Sequence, residues 1–88
     1  MNPPYDWVLH REAGRVMLPL GSKFRRRLVA EFEALAEHPF LEPHEVSITD
    51  DGREVRFLWR DPFWIGFTLD HAARQVRIVS LSRENSVR

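Results

Sequence analysis

The sequence has no cysteine, a single lysine, and no apolar run approaching a membrane span. Without cysteine there is no disulfide scaffold and no thiolate chemistry. A membrane helix takes about 20 consecutive apolar residues, so none is expected. Excess charge of either sign is also missing: thirteen basic residues stand against thirteen acidic ones. That balance counts against a dedicated nucleic-acid binder, because phosphate affinity comes mainly from Lys and Arg. His10, His38 and His44 are scattered, with no metal-ligand spacing. Loop and cap roles suffice for them. Met1-Asn2-Pro3-Pro4 does not open a signal peptide, so a cytoplasmic protein is the expectation.

What is present fits one small domain over 1–88, with 43% hydrophobic residues arguing against disorder. A chain of this size buries only about 60–65% of its unfolded surface, so a partner covering more apolar area would stabilise it. The cations are unevenly placed. From Arg53 onward there are seven arginines against four acids, a local excess of three. Arginine suits bidentate phosphate or carboxylate contact; codon usage rich in G and C gives the same bias.

The stretch from Glu54 to Ser82 organises the rest. Val55, Phe57 and Trp59 alternate with Arg56, Leu58 and Arg60. Phe63, Ile65, Phe67 and Leu69 alternate with Trp64, Gly66 and Thr68. A period of two predicts strands with one face apolar and one open. On this reading Val55, Phe57, Trp59 and the Phe63 series face the core. Arg56, Leu58, Arg60 and Trp64 then share the open face with Val79 and Leu81 of a third strand, Val76 to Leu81.

Ahead of this lies a short strand, Tyr5 to His10, with Trp7 and Leu9 on one face, and a helical turn within Glu12 to Met17. Ser22 stands where an N-cap belongs. From Lys23 to Glu37, Phe24, Leu28, Phe32, Leu35 and Ala36 form a single helical stripe. His38-Pro39 ends it, since a residue before proline is pushed out of helical geometry. Val46-Ser47-Ile48 is a short strand, Thr49 to Gly52 a hairpin turn, Arg60-Asp61-Pro62 a second turn, Asp70 to Arg74 a third, and Arg83 to Arg88 a polar tail. The class is α+β: one or two N-terminal helices packed on one face of a small, mainly antiparallel sheet.

The chain resembles the RelE/ParE superfamily of type II toxin–antitoxin toxins. The likeness runs through Trp7-Val8-Leu9-His10, Leu18-Pro19-Leu20-Gly21, Leu35-Ala36-Glu37-His38-Pro39, the Glu54–Leu69 hairpin and Val76-Arg77-Ile78-Val79-Ser80-Leu81-Ser82-Arg83. Order and spacing carry it, with no strict motif. The resemblance implies one of two activities. RelE-like members enter the ribosomal decoding site and cut mRNA without a metal or other cofactor; ParE-like members bind DNA gyrase and are not nucleases. Both imply a cognate antitoxin as partner, with a homodimer or a toxin–antitoxin hetero-oligomer as the assembly and no membrane. A degenerate RelE/ParE-fold protein-binding module is a third reading.

RNA cleavage of this kind needs a proton acceptor, cations on the phosphorane and a proton donor at the leaving oxygen. RelE-like toxins mount these groups on the open sheet face and near the last strand. The resemblance therefore points to Arg56, Arg60 and Arg83 as catalytic candidates. It points to Trp64, Arg77, Arg25 and Arg26 as RNA- or partner-binding candidates. As plain surface residues, the arginines would be solvated and the Arg25-Arg26-Arg27 run would be a solvated helix face. Trp64 could stack a base, cover the sheet edge, or meet a partner, and an apolar open face favours the partner. The chain departs from the nuclease pattern at several points. No arginine lies between Trp64 and Leu69, no lysine lies on the sheet, and no tyrosine follows Tyr5. Arginine is a poor base, which leaves His71, expected in a turn, as the one proton shuttle in the second half.

Overall fold

A computed structural model describes residues 5–84. The elements run β1 (Asp6–Leu9), α1 (Arg11–Met17), α2 (Ser22–Glu37), β2 (Glu45–Ile48), β3 (Glu54–Arg60), β4 (Phe63–Asp70) and β5 (Gln75–Arg83). The five strands form one sheet in the order β1-β5-β4-β3-β2. The meander β2 to β5 is antiparallel, as its short connections require, and β1 joins β5 in parallel. The expected tail continues past Glu84, where residues 85–88 lie outside the described residues, as does the opening 1–4.

Both helices pack on one face of the sheet, chiefly over β5 and β1. The predicted stripe of α2 is the buried one: Leu28, Phe32, Leu35 and Ala36 are buried and Phe24 half-buried. Leu28, Phe32 and Leu35, with Phe24 against them, join a core with Phe63, Ile65 and Phe67 of β4, Val76, Ile78 and Leu81 of β5, and Leu58 of β3. Trp7 lies against Phe32, ring centroids 5.1 Å apart. The expected N-cap is displaced by one residue. Gly21 caps α2 with extended backbone, and Ser22 is the first helical residue with no side-chain cap bond. The Arg25 guanidinium instead ties down the entry to α2, donating to the Leu18 carbonyl at 3.2 Å and the Leu20 carbonyl at 2.7 Å.

Strand β4 has the predicted facing, but β3 is inverted. Trp59 stands opposite Trp64, Leu58 opposite Ile65 and Arg56 opposite Phe67. Directly opposed residues share a face, so Arg56, Leu58 and Arg60 lie on the helix side and Val55, Phe57 and Trp59 on the open side. Leu58 is only 1% exposed. The tight turn through Asp61-Pro62, whose peptide bond is cis, pairs Arg60 with Phe63 and so fixes the register. The alternation misleads because the helices lie mainly over β1 and β5. Arginines can therefore occupy helix-side positions of β3, running their stems beside the core and their heads to its edge.

The facing of β5 also changes partway. Gly66 opposes Ser80 while Phe67 opposes Ile78, so Val79 is an extra residue in a bulge. Val76, Ile78 and Leu81 all reach the core, where strict alternation would have put Leu81 outside. Leu58 and Leu81 are thus core residues, and the open face is less aliphatic than expected. Its middle is closed by Gly66, directly opposite Phe57. A Cβ at Gly66 would lie 2.2 Å from Ser80 Oγ and 2.8 Å from Phe57 Cε1. The aromatic ring occupies the space a side chain would take.

Candidate functional site

The three arginines proposed for catalysis share a face, but it is the helix side. Phe63 pairs with Arg60 on one flank and Arg83 on the other. Two strand spacings put those two arginines about 10 Å apart along one row of the sheet. Arg56, four residues from Arg60 on the same strand, lies about 13 Å away. Each head group is engaged. Arg60 Nε donates to Glu31 Oε1 at 2.9 Å, and Arg60 Nη1 to the Trp59 carbonyl at 2.9 Å. Arg83 lies over the Phe24 ring, 4.8 Å from its centroid. Arg56 pairs with Glu54 at 3.1 Å. Arg27, which could have bridged to Glu31 along the helix, instead donates to the Asp61 carbonyl.

The remaining candidates divide between elements. Trp64 and Arg77 are on the open face, with Arg77 opposite Thr68 and three residues of β4 between Trp64 and that row. Arg77 is bound to Asp70 at 2.7 Å. Arg25 is the α2 entry clamp, and Arg26 is solvent-exposed on α2.

Two clefts result. One, of about 490 Å³, is lined by Arg53, Glu54, Arg56, Thr68, Leu69, Asp70, His71 and Arg77. It brings Arg56 and Arg77 together across the far end of the sheet, with Glu54 and Asp70 beside them. His71 at its mouth shares a 2.8 Å hydrogen bond between its Nδ1 and the Tyr5 hydroxyl, and stacks on Phe40 at 5.5 Å. Tyr5 thus meets His71 through the parallel β1–β5 pairing, a juxtaposition with no local signal in the sequence.

The other cleft is on the open face. It has a volume of about 400 Å³ and is lined by Glu45, Phe57, Trp64, Ser80, Ser82 and Glu84. Trp59 packs on Trp64 with ring centroids 5.2 Å apart, and His44 meets the other side of Trp64 edge-on at 6.4 Å. Trp64 Nε1 donates to Glu84 Oε1 at 2.6 Å. Strand β2 stops at Glu45, and there the His44 Nδ1 takes the Trp59 backbone N–H at 3.0 Å in place of a strand carbonyl. The bond leaves that ring nitrogen unprotonated. Among the described strand residues of the open face, Arg77 is the one arginine. The side occupied by Trp59 and Trp64 carries carboxylates instead.

Among the described residues no group of His, Asp and Glu could hold a metal ion, and no helix is long and apolar enough to cross a membrane.

Two helices on one face of a five-stranded sheet, with the last strand inserted beside the first, give the chain a RelE/ParE-like fold. Solved structures bear out that likeness. A chain of the RelBE2 toxin–antitoxin complex from Mycobacterium tuberculosis superposes with a TM-score of 0.74 at 17% identity, covering 92% of each chain. The isolated Escherichia coli RelE toxin gives 0.74 at 15% identity, over 94% of this chain and 87% of that one. The archaeal RelE–RelB complex from Pyrococcus horikoshii gives 0.72 at 12% identity, over 97% and 100%. No family model and no curated protein matches the sequence.

Proposed function

We propose that this chain is the toxin component of a toxin–antitoxin pair, held by a cognate antitoxin protein, and that it acts by binding a protein target. The fold supports the first part: one of the similar structures is a toxin–antitoxin complex and another is a RelE–RelB complex. The open face carries the second. The resemblance to RelE-like nucleases calls for cations there, within reach of a scissile phosphate. Here the positions around Trp64 hold Phe57, Trp59, Ser80, Ser82, Glu45 and Glu84, and Arg77 is neutralised by Asp70. Two carboxylates beside a phosphate path repel it, and among the described strand residues of that face the one cation, Arg77, is already paired. An aromatic surface with a polar rim is instead the composition of a protein interface.

A second reading keeps the RelE-like, ribosome-dependent mRNA endoribonuclease. One observation favours it: Arg60 and Arg83 flank Phe63 in a single row, with Arg27 close to the same turn. Both readings are tested together. The chain is co-expressed with a small neighbouring reading frame, and the purified toxin is assayed for ribosome-programmed mRNA cleavage beside gyrase supercoiling. The binding reading expects copurification with the antitoxin, growth arrest in its absence, and no cleaved mRNA; inhibited supercoiling would identify gyrase as the target. Cleavage abolished by Arg60→Ala or Arg83→Ala would replace it with the nuclease reading. Elution as a free monomer despite co-expression would remove the antitoxin.

A further inference from the structure

The open-face cleft has a charge the rest of the molecule does not explain. The chain is neutral overall, yet the cleft is lined by two carboxylates and no cation. Neither Glu45 nor Glu84 has an ion-pair partner among the described residues. Glu84 uses one oxygen on the Trp64 indole N–H, which leaves the other directed to solvent or to a guest. The walls are aromatic: Phe57 and Trp64 line the cleft, and Trp59 backs Trp64. Aromatic faces beside carboxylates bind cations twice over, through the ring quadrupole and through charge. A guanidinium fits best, because its plane stacks on an indole while its edge meets a carboxylate in a fork.

The surroundings indicate how such a group arrives. Strand β2 is the sheet edge, paired only with β3, and each of its four residues is exposed. Among the described residues no strand pairs with its outer backbone groups, which can take a further strand. Glu45 and Ser47 lie on the open face beside the cleft, while Val46 and Ile48, 51% and 63% exposed, lie on the opposite face. A strand added there would send alternate side chains to these two surfaces. We propose that this edge and cleft bind an extended protein segment in which arginine alternates with apolar residues. One arginine enters the Trp64–Glu45–Glu84 cleft, and the apolar residues cover Val46 and Ile48. The inference rests on the protein-binding reading above and specifies its partner.

The probe is a capped nonapeptide of alternating valine and arginine, compared with the same peptide carrying glutamine or glutamate for arginine. Binding to the purified chain is followed by calorimetry and tryptophan emission. The arginine peptide should bind at least about 10-fold more tightly than the glutamine peptide, and the glutamate peptide should not bind. Glu45→Gln with Glu84→Gln, both at exposed positions, should remove that preference. Val46→Ser with Ile48→Ser should weaken all the peptides alike. Lys23→Ala, exposed on α2, should leave peptide binding unchanged. Equal affinity for the arginine and glutamine peptides, or an unaltered preference in the double glutamine variant, overturns the proposal. So does self-association of the free chain through this edge, which would make a second copy the occupant. If the antitoxin copurifies with the unaltered chain while none of the peptides binds that chain, this surface is wrong and the toxin reading stands.

Discussion

Replacing Gly66 tests the architecture of the open face directly. The perturbation is one methyl group, Gly66→Ala. The new Cβ would sit 2.2 Å from Ser80 Oγ, 2.8 Å from Phe57 Cε1 and 3.3 Å from Phe57 Cδ1. Ser80 can relieve its contact by turning its hydroxyl. The Phe57 ring has less freedom, because it lies directly across from Gly66 in the sheet. Overpacking of this kind costs about 1–3 kcal/mol. In a domain of this size each kcal/mol moves the melting temperature by roughly 4–8 °C, so a fall of about 5–20 °C is expected. The sign should reverse in a Phe57→Ala, Ser80→Ala background, where the three nearest atoms are gone. There alanine should stabilise by about 0.5–1 kcal/mol, the ordinary advantage of alanine over glycine within a strand. Urea denaturation of the four proteins gives the cycle. If Gly66→Ala costs the same in both backgrounds to within about 0.5 kcal/mol, the sites are independent. In that case the ring does not fill the glycine's place.

Three further outcomes follow from the same contacts. Leu58→Ala should cost about 2–5 kcal/mol as a core truncation, and Trp59→Ala, on the half-exposed open face, clearly less. A larger loss at Trp59 in denaturant titrations would return the β3 register to its inverse. A double-mutant cycle between Arg60 and Glu31, a partly exposed pair at 2.9 Å, should give a coupling of only about 0.5–1 kcal/mol after solvent screening. A coupling of several kcal/mol would mark a more buried pair than the structure shows. In the β2–β3 turn the Thr49 hydroxyl holds the Asp51 carboxyl below its usual value of 3.8, helped by the Arg53 backbone N–H. A carboxyl depressed in the folded state contributes stability above its unfolded pKa and loses it as pH falls through the folded value. NMR titration of Thr49→Ala should therefore find Asp51 nearer 3.8, and an unchanged value would remove the hydroxyl as the cause.

Much of this was legible in the sequence because its causes are local. The α2 stripe, the Asp51-Gly52 hairpin and the alternation of β4 each depend on neighbours a few residues away. The facing of β3 was not legible. Val55, Phe57 and Trp59 look like a core face, but the turn at Asp61-Pro62 and the position of the helices decide otherwise. The bulge at Val79 hid Leu81 in the same way, since one extra residue reverses every later position on β5. Arg56 and Arg60 share a face by their even spacing, but that face was misassigned with the strand, and Arg83 joins their side through its pairing with Phe63. The acidic, aromatic cleft combines residues from His44 to Glu84 across four strands, and Tyr5 meets His71 only once β1 is seated. Neither has a signature in sequence spacing.

The pairing of β1 with β5 also bears on biosynthesis. Asp6 finds its opposite number in Gln75, so a long stretch after β1 must be made before that strand has anything to zip against. Until then Trp7 and the apolar stripe of the second helix wait uncovered in the nascent protein, a non-local closure of the slow-folding kind. Ribosomes that stall short of that last strand would release a chain unable to seal its own interior.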